Sequence, residues 1–396
     1  MAAMEDSSKV VTHFKDALIV PNRPEHVVPT YRILEDGKLN TPDKVEISDE
    51  EVIRCYKGMV TLNEMDSKLY DIQRQGLISF YMTSYGEEAI HYGSAAALDM
   101  GDVVFAQYRE VGVLMYRGFT VQNVVDQCYS NIRDLGKGRQ MPIHYGSKEL
   151  NYQTISSTLG TQIPNAAGAG YAMKMQGKPN CAVCYFGDGA ASEGDFHAAL
   201  NFAATLGSAT IFICRNNKWA ISTPTRDQYR GDAIAGRGVA YGMHTIRVDG
   251  NDFFAIYNAT KEARRIAVEE GRPVLIETMT YRVGHHSTSD DFTRYREQKE
   301  VSPWQKDNPI TRLRLWLENQ GLWDNNKNDQ LKKEARESVI AAMKEAEVLQ
   351  KPKISDLFTD VYDKETDQLR SDREKLFQHL AKYPNQYPID IHLPES

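Results

Sequence analysis

The 396-residue chain has no long apolar run; none approaches the roughly 20 residues that cross a bilayer as a helix. An excess of positive charge is missing too. Forty-seven lysines and arginines stand against 54 aspartates and glutamates, and the formal charge of −7 gives no general attraction to nucleic acid or anionic membrane. Cysteine is scarce: Cys55, Cys128, Cys181, Cys184 and Cys214 come without a secretory context, and three lie in apolar strand-like runs, which indicates reduced core thiols. The CxxC of Cys181 and Cys184 sits inside a strand-like run, whereas a thioredoxin-like pair needs a helix start. No GxGxxG follows an early strand, and the basic glycine loop 136–142 lacks the GxxxxGK[ST] order of a P-loop. Repeats and long low-complexity stretches are absent. With 41% apolar and 26% charged residues, the composition is that of a globular protein with a sizeable core.

What is present is concentrated between residues 181 and 222, CAVCYFGDGAASEGDFHAALNFAATLGSATIFICRNNKWAIS. Strand-like runs at 181–186 and 209–214 bracket a helix-like segment of about four turns. In a parallel βαβ unit both strands open their carboxyl ends on one edge of the sheet, where α/β ligands bind. The first strand ends in Gly187-Asp188-Gly189 and the second in Asn216-Asn217, so Asp188 and Asn217 are expected to face one cavity. A carboxylate, an amide oxygen and a nearby carbonyl are hard donors that suit magnesium, which takes further ligands from phosphates. Ser192, with Asp195 three residues on, reads as the N-cap of a helix whose positive end favours an anion. The expected ligand is Mg2+-diphosphate. For either tripeptide or Asn-Asn alone, a plain surface turn is the simpler reading; their spacing on consecutive strand ends argues against it.

Residues 1–47 mix prolines and charges without periodicity and read as an extended arm. Ser48-Asp49-Glu50-Glu51 is a capping-box pattern that opens a helix to about Gln75, with Val52, Tyr56, Met59, Val60, Met65, Leu69 and Ile72 facing the core. Glu87 and Glu88 open the next helix, and the helix dipole explains them without catalysis. A strand at 103–106 runs into Gln107-Tyr108-Arg109-Glu110, where Arg109 is placed either to pair with a phosphate or to form a surface salt bridge. The loop 136–142 stands open as a phosphate loop or a mobile lid. Residues 156–162 introduce a small-residue helix over 166–175; their hydroxyls read as caps, with a monovalent cation site as the other reading. Further strands at 245–248 and 273–281 enclose a helix over 252–270. The last strand leads to Gly284-His285-His286-Ser287-Thr288-Ser289-Asp290-Asp291. Adjacent histidines point different ways and no third ligand has zinc-like spacing, so one histidine serves a phosphate or a charged intermediate better than a metal. From Pro309 the chain turns helical, with an apolar stripe at Leu331, Ala335, Val339, Ala342 and Ala346 and a last helix over 367–381. The aromatic, proline-rich tail 383–390 either docks on a neighbour or tucks onto its own domain. The fold class is α/β, a mainly parallel sheet flanked by helices on both faces, divided into an arm (1–47), an α/β domain (48–305) and a C-terminal helical extension with its tail (306–396).

Gly-Asp-Gly, a helix, and a strand ending Asn-Asn, with the second Asn thirty residues after the first Gly, resembles the thiamine diphosphate fingerprint. The blocks at 74–76, 107–110, 135–142, 191–195 and 284–291 are similar to those of alpha subunits of the decarboxylase component of branched-chain 2-oxo acid dehydrogenase complexes. That resemblance implies thiamine diphosphate, Mg2+ and K+ as cofactors. Asp188, Asn217 and the carbonyl of Trp219 would hold Mg2+. Tyr108, Arg109, Arg215 and His286 would contact the diphosphate, beside Gly187, Gly189 and Ala190, with His286 also the catalytic candidate. Ser157 and Leu159 would line the aminopyrimidine and thiazolium region, and Phe80, Tyr81 and Gln107 the acyl side. Ser156, Thr158, Thr161 and Gln162 would hold K+. The implied activity is oxidative decarboxylation of branched-chain 2-oxo acids with reductive acylation of lipoamide on an acyltransferase partner. An α2β2 heterotetramer follows, in which the beta subunit supplies the carboxylate for the aminopyrimidine ring. Ser287 would be the phosphorylation site of a regulatory kinase and phosphatase; Glu297 replaces a second serine of that family. The implied location is the mitochondrial matrix, with the transit peptide absent from this chain, whose acidic, arginine-free start is unlike one. Trp219 and Thr158 depart from the family's tyrosine and proline, and Asp188 is one carbon shorter than the usual glutamate. Competing readings are a pyruvate or acetoin dehydrogenase alpha subunit and a non-catalytic assembly subunit.

Overall fold

Six parallel strands form the central sheet in the order Thr30–Tyr31, His244–Asp249, Val274–Met279, Thr210–Asn216, Ala182–Gly187, Val103–Phe105. The structure is a computed structural model that describes residues 27–42 and 44–395. Successive side chains of a strand point to opposite faces, and in this sheet both faces are covered. Cys181, Val183 and Tyr185 therefore enter one hydrophobic core, while Ala182, Cys184 and Phe186 enter the other. The first core takes helices Asp49–Arg74, Glu88–Ala96 and Phe253–Arg265; the second takes Gln162–Met175 and Gly194–Leu206. This split disposes of the CxxC as a redox pair. Its two thiols lie on opposite faces, burial pushes both up, and all five cysteines are free and buried.

Local signals set most element boundaries. Ser48 caps Asp49–Arg74, its Oγ accepting from the Glu51 N–H at 3.2 Å, and every core position expected of that helix is buried. Asp252 caps Phe253–Arg265 through the Ala255 N–H at 2.9 Å. Helix Asn325–Glu347 buries the expected stripe of Leu331, Ala335, Val339, Ala342 and Ala346, and Tyr56 of the first helix donates to its Asn328 at 2.8 Å. Leu331 and Val339 thus belong to the same core as Asp49–Arg74. Among the described residues no helix is long and apolar enough to cross a membrane.

Other segments settle differently. Of the segment read as an arm, residues 1–26 lie outside the described residues. Thr30–Tyr31 is an edge strand of the sheet, and the N–H groups of Ile33 and Leu34 donate to the Asp252 carboxylate at 2.7 and 2.6 Å. Ser192 is not a helix cap. It ends a 3-10 turn over Ala190–Ser192, which takes the place of a first α turn, and Gly194–Leu206 starts after Glu193 without a side-chain cap. Helix Gln162–Met175 likewise lacks a capping side chain; the Ser156 Oγ accepts from the Thr158 N–H at 3.3 Å and the Thr161 hydroxyl donates to the Thr158 carbonyl at 3.0 Å. The tail tucks onto its own chain, with Lys351 N–H donating to the Ile391 carbonyl at 2.8 Å and Leu393 N–H to that of Lys351 at 3.0 Å.

Gly170 lets helix Gln162–Met175 close onto the sheet: a Cβ there would lie 2.5 Å from the Ala209 carbonyl oxygen and 2.2 Å from Thr210 Oγ1. Gly170→Ala should therefore lower stability by about 1–3 kcal/mol despite alanine's better helix propensity. Thermal unfolding of the variant checks this; an unchanged midpoint would show that the helix can slide.

Candidate active site

Gly187 pairs opposite Arg215 in the sheet register. That register brings Gly187, Asp188, Gly189 and Ala190 from one strand end beside Arg215, Asn217 and Trp219 from the next, on the wall of a cavity of about 440 Å3. Val103–Phe105 ends alongside and adds Gln107, Tyr108 and Arg109. Phe80, Ser157, Leu159 and His286 add to the wall from three separate loops.

Arg215 organises this edge. Its Nε lies 2.8 Å from Glu110 Oε1 and 2.9 Å from Glu87 Oε2, and all three side chains are almost wholly buried. Burial lowers the Arg215 pKa, but the carboxylates of Glu87 and Glu110 outweigh it and hold the guanidinium above its ordinary value. The same acids seat the neighbours. Glu87 accepts from Asn217 Nδ2 at 2.7 Å, Glu110 accepts from the Gln107 N–H at 2.9 Å, and Gln107 Oε1 accepts from the Gly187 N–H at 2.8 Å. Arg215 Nη2 is buried without a hydrogen-bond partner among the described residues. A Cβ built on Gly187 would stand 3.7 Å from Nη1 and 3.9 Å from Nη2, so the glycine keeps clear the space in front of that guanidinium. An unspent donor beside glycine backbone suits a phosphate oxygen.

The donor set for a cation lies next to it. Asp188 is buried, which raises its pKa, with Gln228 Nε2 on one oxygen at 2.8 Å and the Arg215 charge countering the rise. No lysine, arginine or histidine among the described residues forms a salt bridge with it. Asn217 turns its amide nitrogen to Glu87, which leaves Oδ1 accepting only the Trp219 N–H at 3.3 Å. The Trp219 carbonyl is approached by Arg282 Nη1 at 3.4 Å. Among the described residues no three His, Cys, Asp or Glu side chains converge as a metal cluster. A magnesium that draws on one carboxylate, one amide oxygen, one carbonyl and phosphate oxygens needs no such cluster, and these residues fit it.

His286 faces the cavity from a loop held by polar contacts. Its N–H donates to Asp290 Oδ2 at 2.7 Å, Tyr295 donates to the same oxygen at 2.6 Å, and Arg282 Nη2 donates to the Tyr295 hydroxyl at 2.6 Å. Arg109 Nη2 lies 3.2 Å and Arg282 Nη1 3.4 Å from His286 Nδ1. Guanidinium nitrogens only donate, so Nδ1 is the bare nitrogen and Nε2 carries the proton. Burial, with repulsion from Arg109, Arg282 and Arg215, pushes the His286 pKa down to about 2 and keeps the ring neutral.

Not every expected site residue meets here. Tyr81 is fully buried and gives its hydroxyl to Asp66 at 2.7 Å, away from the cavity its neighbour Phe80 lines. Ser156, Thr158 and Thr161 group outside the cavity beside the start of Gln162–Met175, where Gln162 donates to the Tyr185 carbonyl at 3.1 Å. Ser287 is buried behind His286, its Oγ accepting from the Ser289 N–H at 3.3 Å. Glu87, Glu110, His144, Gln228 and Arg282 belong to the site or its support, and none had a signal of its own. The acids of 87 and 88 read as dipole partners, and only the tertiary structure puts Glu87, the N-cap of helix Glu88–Ala96, on Arg215.

The chain belongs to the dehydrogenase E1 component family, whose model matches residues 56–355. Within it the chain is similar to proteins named 2-oxoisovalerate dehydrogenase subunit alpha, mitochondrial. It is 58% identical over 370 residues to that of Dictyostelium discoideum, covering 92% of this chain and 84% of the relative. To that of Homo sapiens it is 56% identical over 366 residues, covering 92% and 82%, and to that of Caenorhabditis elegans 53% over 394 residues, covering 97% and 91%.

A histidine held neutral by the fold stabilises it only above the ordinary histidine pKa of about 6.5, and that stability drains as pH falls towards the folded value. Below about pH 6.5 the thermal midpoint should therefore fall more steeply in wild type than in His286→Asn. Parallel curves would place the His286 ring in solvent.

Proposed function

We propose that the chain is the alpha subunit of a 2-oxoisovalerate dehydrogenase. With thiamine diphosphate and a beta subunit it decarboxylates branched-chain 2-oxo acids oxidatively and passes the acyl group to lipoamide on an acyltransferase of a multienzyme complex. The identity to relatives so named supports the reading, and the word mitochondrial in their names supports a location in the mitochondrial matrix. The observation that carries it is the meeting of Asp188, Asn217, Arg109 and Arg215 on the wall of a single cavity.

Thiamine diphosphate, when bound, supplies the carbanion and electron sink that decarboxylation needs. The residues of this chain do the rest. Asp188, Asn217 and the Trp219 carbonyl would hold Mg2+, and Arg215, Arg109 and Tyr108, which line the same cavity, would take the diphosphate oxygens beside Gly187, Gly189 and Ala190. His286 holds a proton at Nε2, on the side away from the two arginines, where it can donate to oxygen developing charge in the substrate. Leu159 and Ser157 border the ring end and Phe80 and Gln107 the acyl end, with Tyr81 bracing the latter through Asp66. Ser156, Thr158, Thr161 and Gln162, grouped at the start of Gln162–Met175, would hold K+. The beta subunit contributes the carboxylate that activates the ring, so the α/β domain at 48–305 works only within α2β2, braced by the extension 306–396.

Ser287 is the residue through which a kinase and a phosphatase regulate this site. A phosphate there adds about two negative charges one residue from His286 and beside the Asp290 that anchors it. Because Ser287 is buried, the kinase must meet the loop in a released form.

The test is co-expression with the beta subunit, followed by decarboxylation of 3-methyl-2-oxobutanoate and of pyruvate with an artificial electron acceptor. Wild type should prefer the branched acid. Asp188→Ala should lose Mg2+-dependent thiamine diphosphate binding and at least 100-fold in turnover, the order of magnitude set by several lost charge-assisted contacts. Preference for pyruvate would move the substrate class, and assembly without turnover would leave a structural subunit.

A further inference from the structure

His144 lines the cavity next to Ser157, and no role follows for it from the site so far described. It sits on a backbone that is held against its preference. Ile143 has a φ of 70°, in the left-handed region that β-branched residues rarely enter, although its side chain is buried. Gln127, itself buried in helix Val121–Tyr129, clamps both sides of that turn: its Oε1 accepts from the Ile143 N–H at 3.0 Å and its Nε2 donates to the Met141 carbonyl at 2.7 Å. Such a conformation persists only where the surroundings over-determine it, and its effect here is to fold the His144 ring back on its own loop.

The protons of the pair are then assigned by their partners. His144 Nδ1 lies 3.1 Å from the Pro142 carbonyl oxygen, which can only accept, so in the neutral ring Nδ1 carries the proton and Nε2 is bare. Nε2 lies 2.7 Å from Ser157 Oγ. The Ser157 hydroxyl must therefore donate to it, and its one proton is spent. Towards the cavity Ser157 then presents lone pairs alone.

We propose that His144 is a positioning residue that converts Ser157 into an obligate acceptor and so selects, at this end of the cavity, a ligand group that donates N–H. The exocyclic amine of an aminopyrimidine has that chemistry; an oxo group in its place would set lone pairs against lone pairs. The inference rests on the thiamine diphosphate reading and adds to it a selection at the ring end that the diphosphate contacts do not make.

Titration calorimetry on the α2β2 protein with Mg2+ tests it, comparing thiamine diphosphate with oxythiamine diphosphate, which carries oxo for the amine. H144A and S157A should each weaken thiamine diphosphate about five- to tenfold, the effect of one hydrogen bond, and the double variant should be no weaker than the weaker single. H144Q, whose Oε1 can accept the serine proton, should bind within about threefold of wild type. The preference for amine over oxo should narrow in H144A, because the freed hydroxyl can rotate and donate; a merely structural histidine would weaken both ligands alike. Wild-type affinity and unchanged preference in H144A would overturn the proposal, as would losses that multiply in the double variant or an H144Q as weak as H144A. Should H144A not assemble, S157A and H144Q carry the same comparison. If wild type bound the diphosphate of neither compound, the thiamine diphosphate reading would fall and this one with it, whereas failure of the variants' pattern alone leaves that reading standing.

Discussion

A guanidinium buried between two carboxylates is the constraint on which this molecule's working edge depends. Arg215 comes from the end of one strand, Glu87 from the cap of helix Glu88–Ala96, and Glu110 from the cap of helix Val111–Tyr116. Charges so deeply buried are tolerated only as a set, since desolvation costs several kcal/mol per ion and is repaid only by close pairing and further hydrogen bonds. Each carboxylate oxygen left over is put to use: one seats Asn217, another the Gln107 backbone, and Gln107 in turn seats Gly187. Asn217, Gln107 and Gly187 are thus placed by one electrostatic knot, with the second guanidinium nitrogen of Arg215 left over for a ligand.

Packing explains why the knot lies where it does. Both faces of the sheet are covered by apolar helices, so a strand such as Ala182–Gly187 is buried at every position and has no room for chemistry along its length. Polar groups collect where the strands stop. The loop that carries His286 is a different kind of structure from the core beside it. Asp290, Tyr295 and Arg282 hold it through hydrogen bonds, and the Arg296 guanidinium reaches the carbonyls of Arg282, Val283 and Gly284. A segment tied by polar bonds responds to added charge more readily than one tied by buried apolar area.

Several features were legible in advance because their cause is local. A capping serine at 48, a 3.6-residue stripe from Leu331 to Ala346, and two apolar runs separated by a helix each announce an element within a few turns. Other readings failed for want of context. Ser192 has the right type and spacing for a helix cap, yet a 3-10 turn takes its place; residues 156–161 have capping hydroxyls that bind one another's loop instead. Glu87 looked like an acid at a helix start, which it is, but its partner is Arg215, far along the chain.

The sequence by itself determined the class of fold, the strand ends at Asp188 and Asn217, and through its resemblance the family and cofactor, because periodicity and short motifs are written in neighbouring residues. Tertiary structure alone decided that Cys181 and Cys184 part to opposite faces, that Tyr81 turns from the cavity to Asp66, that Arg215 is shared by two acids, and that His144 reaches Ser157. These depend on strand register and on loops brought together from distant parts of the chain, and the free energy of such contacts exists only once the sheet has closed and water has been excluded from its edge.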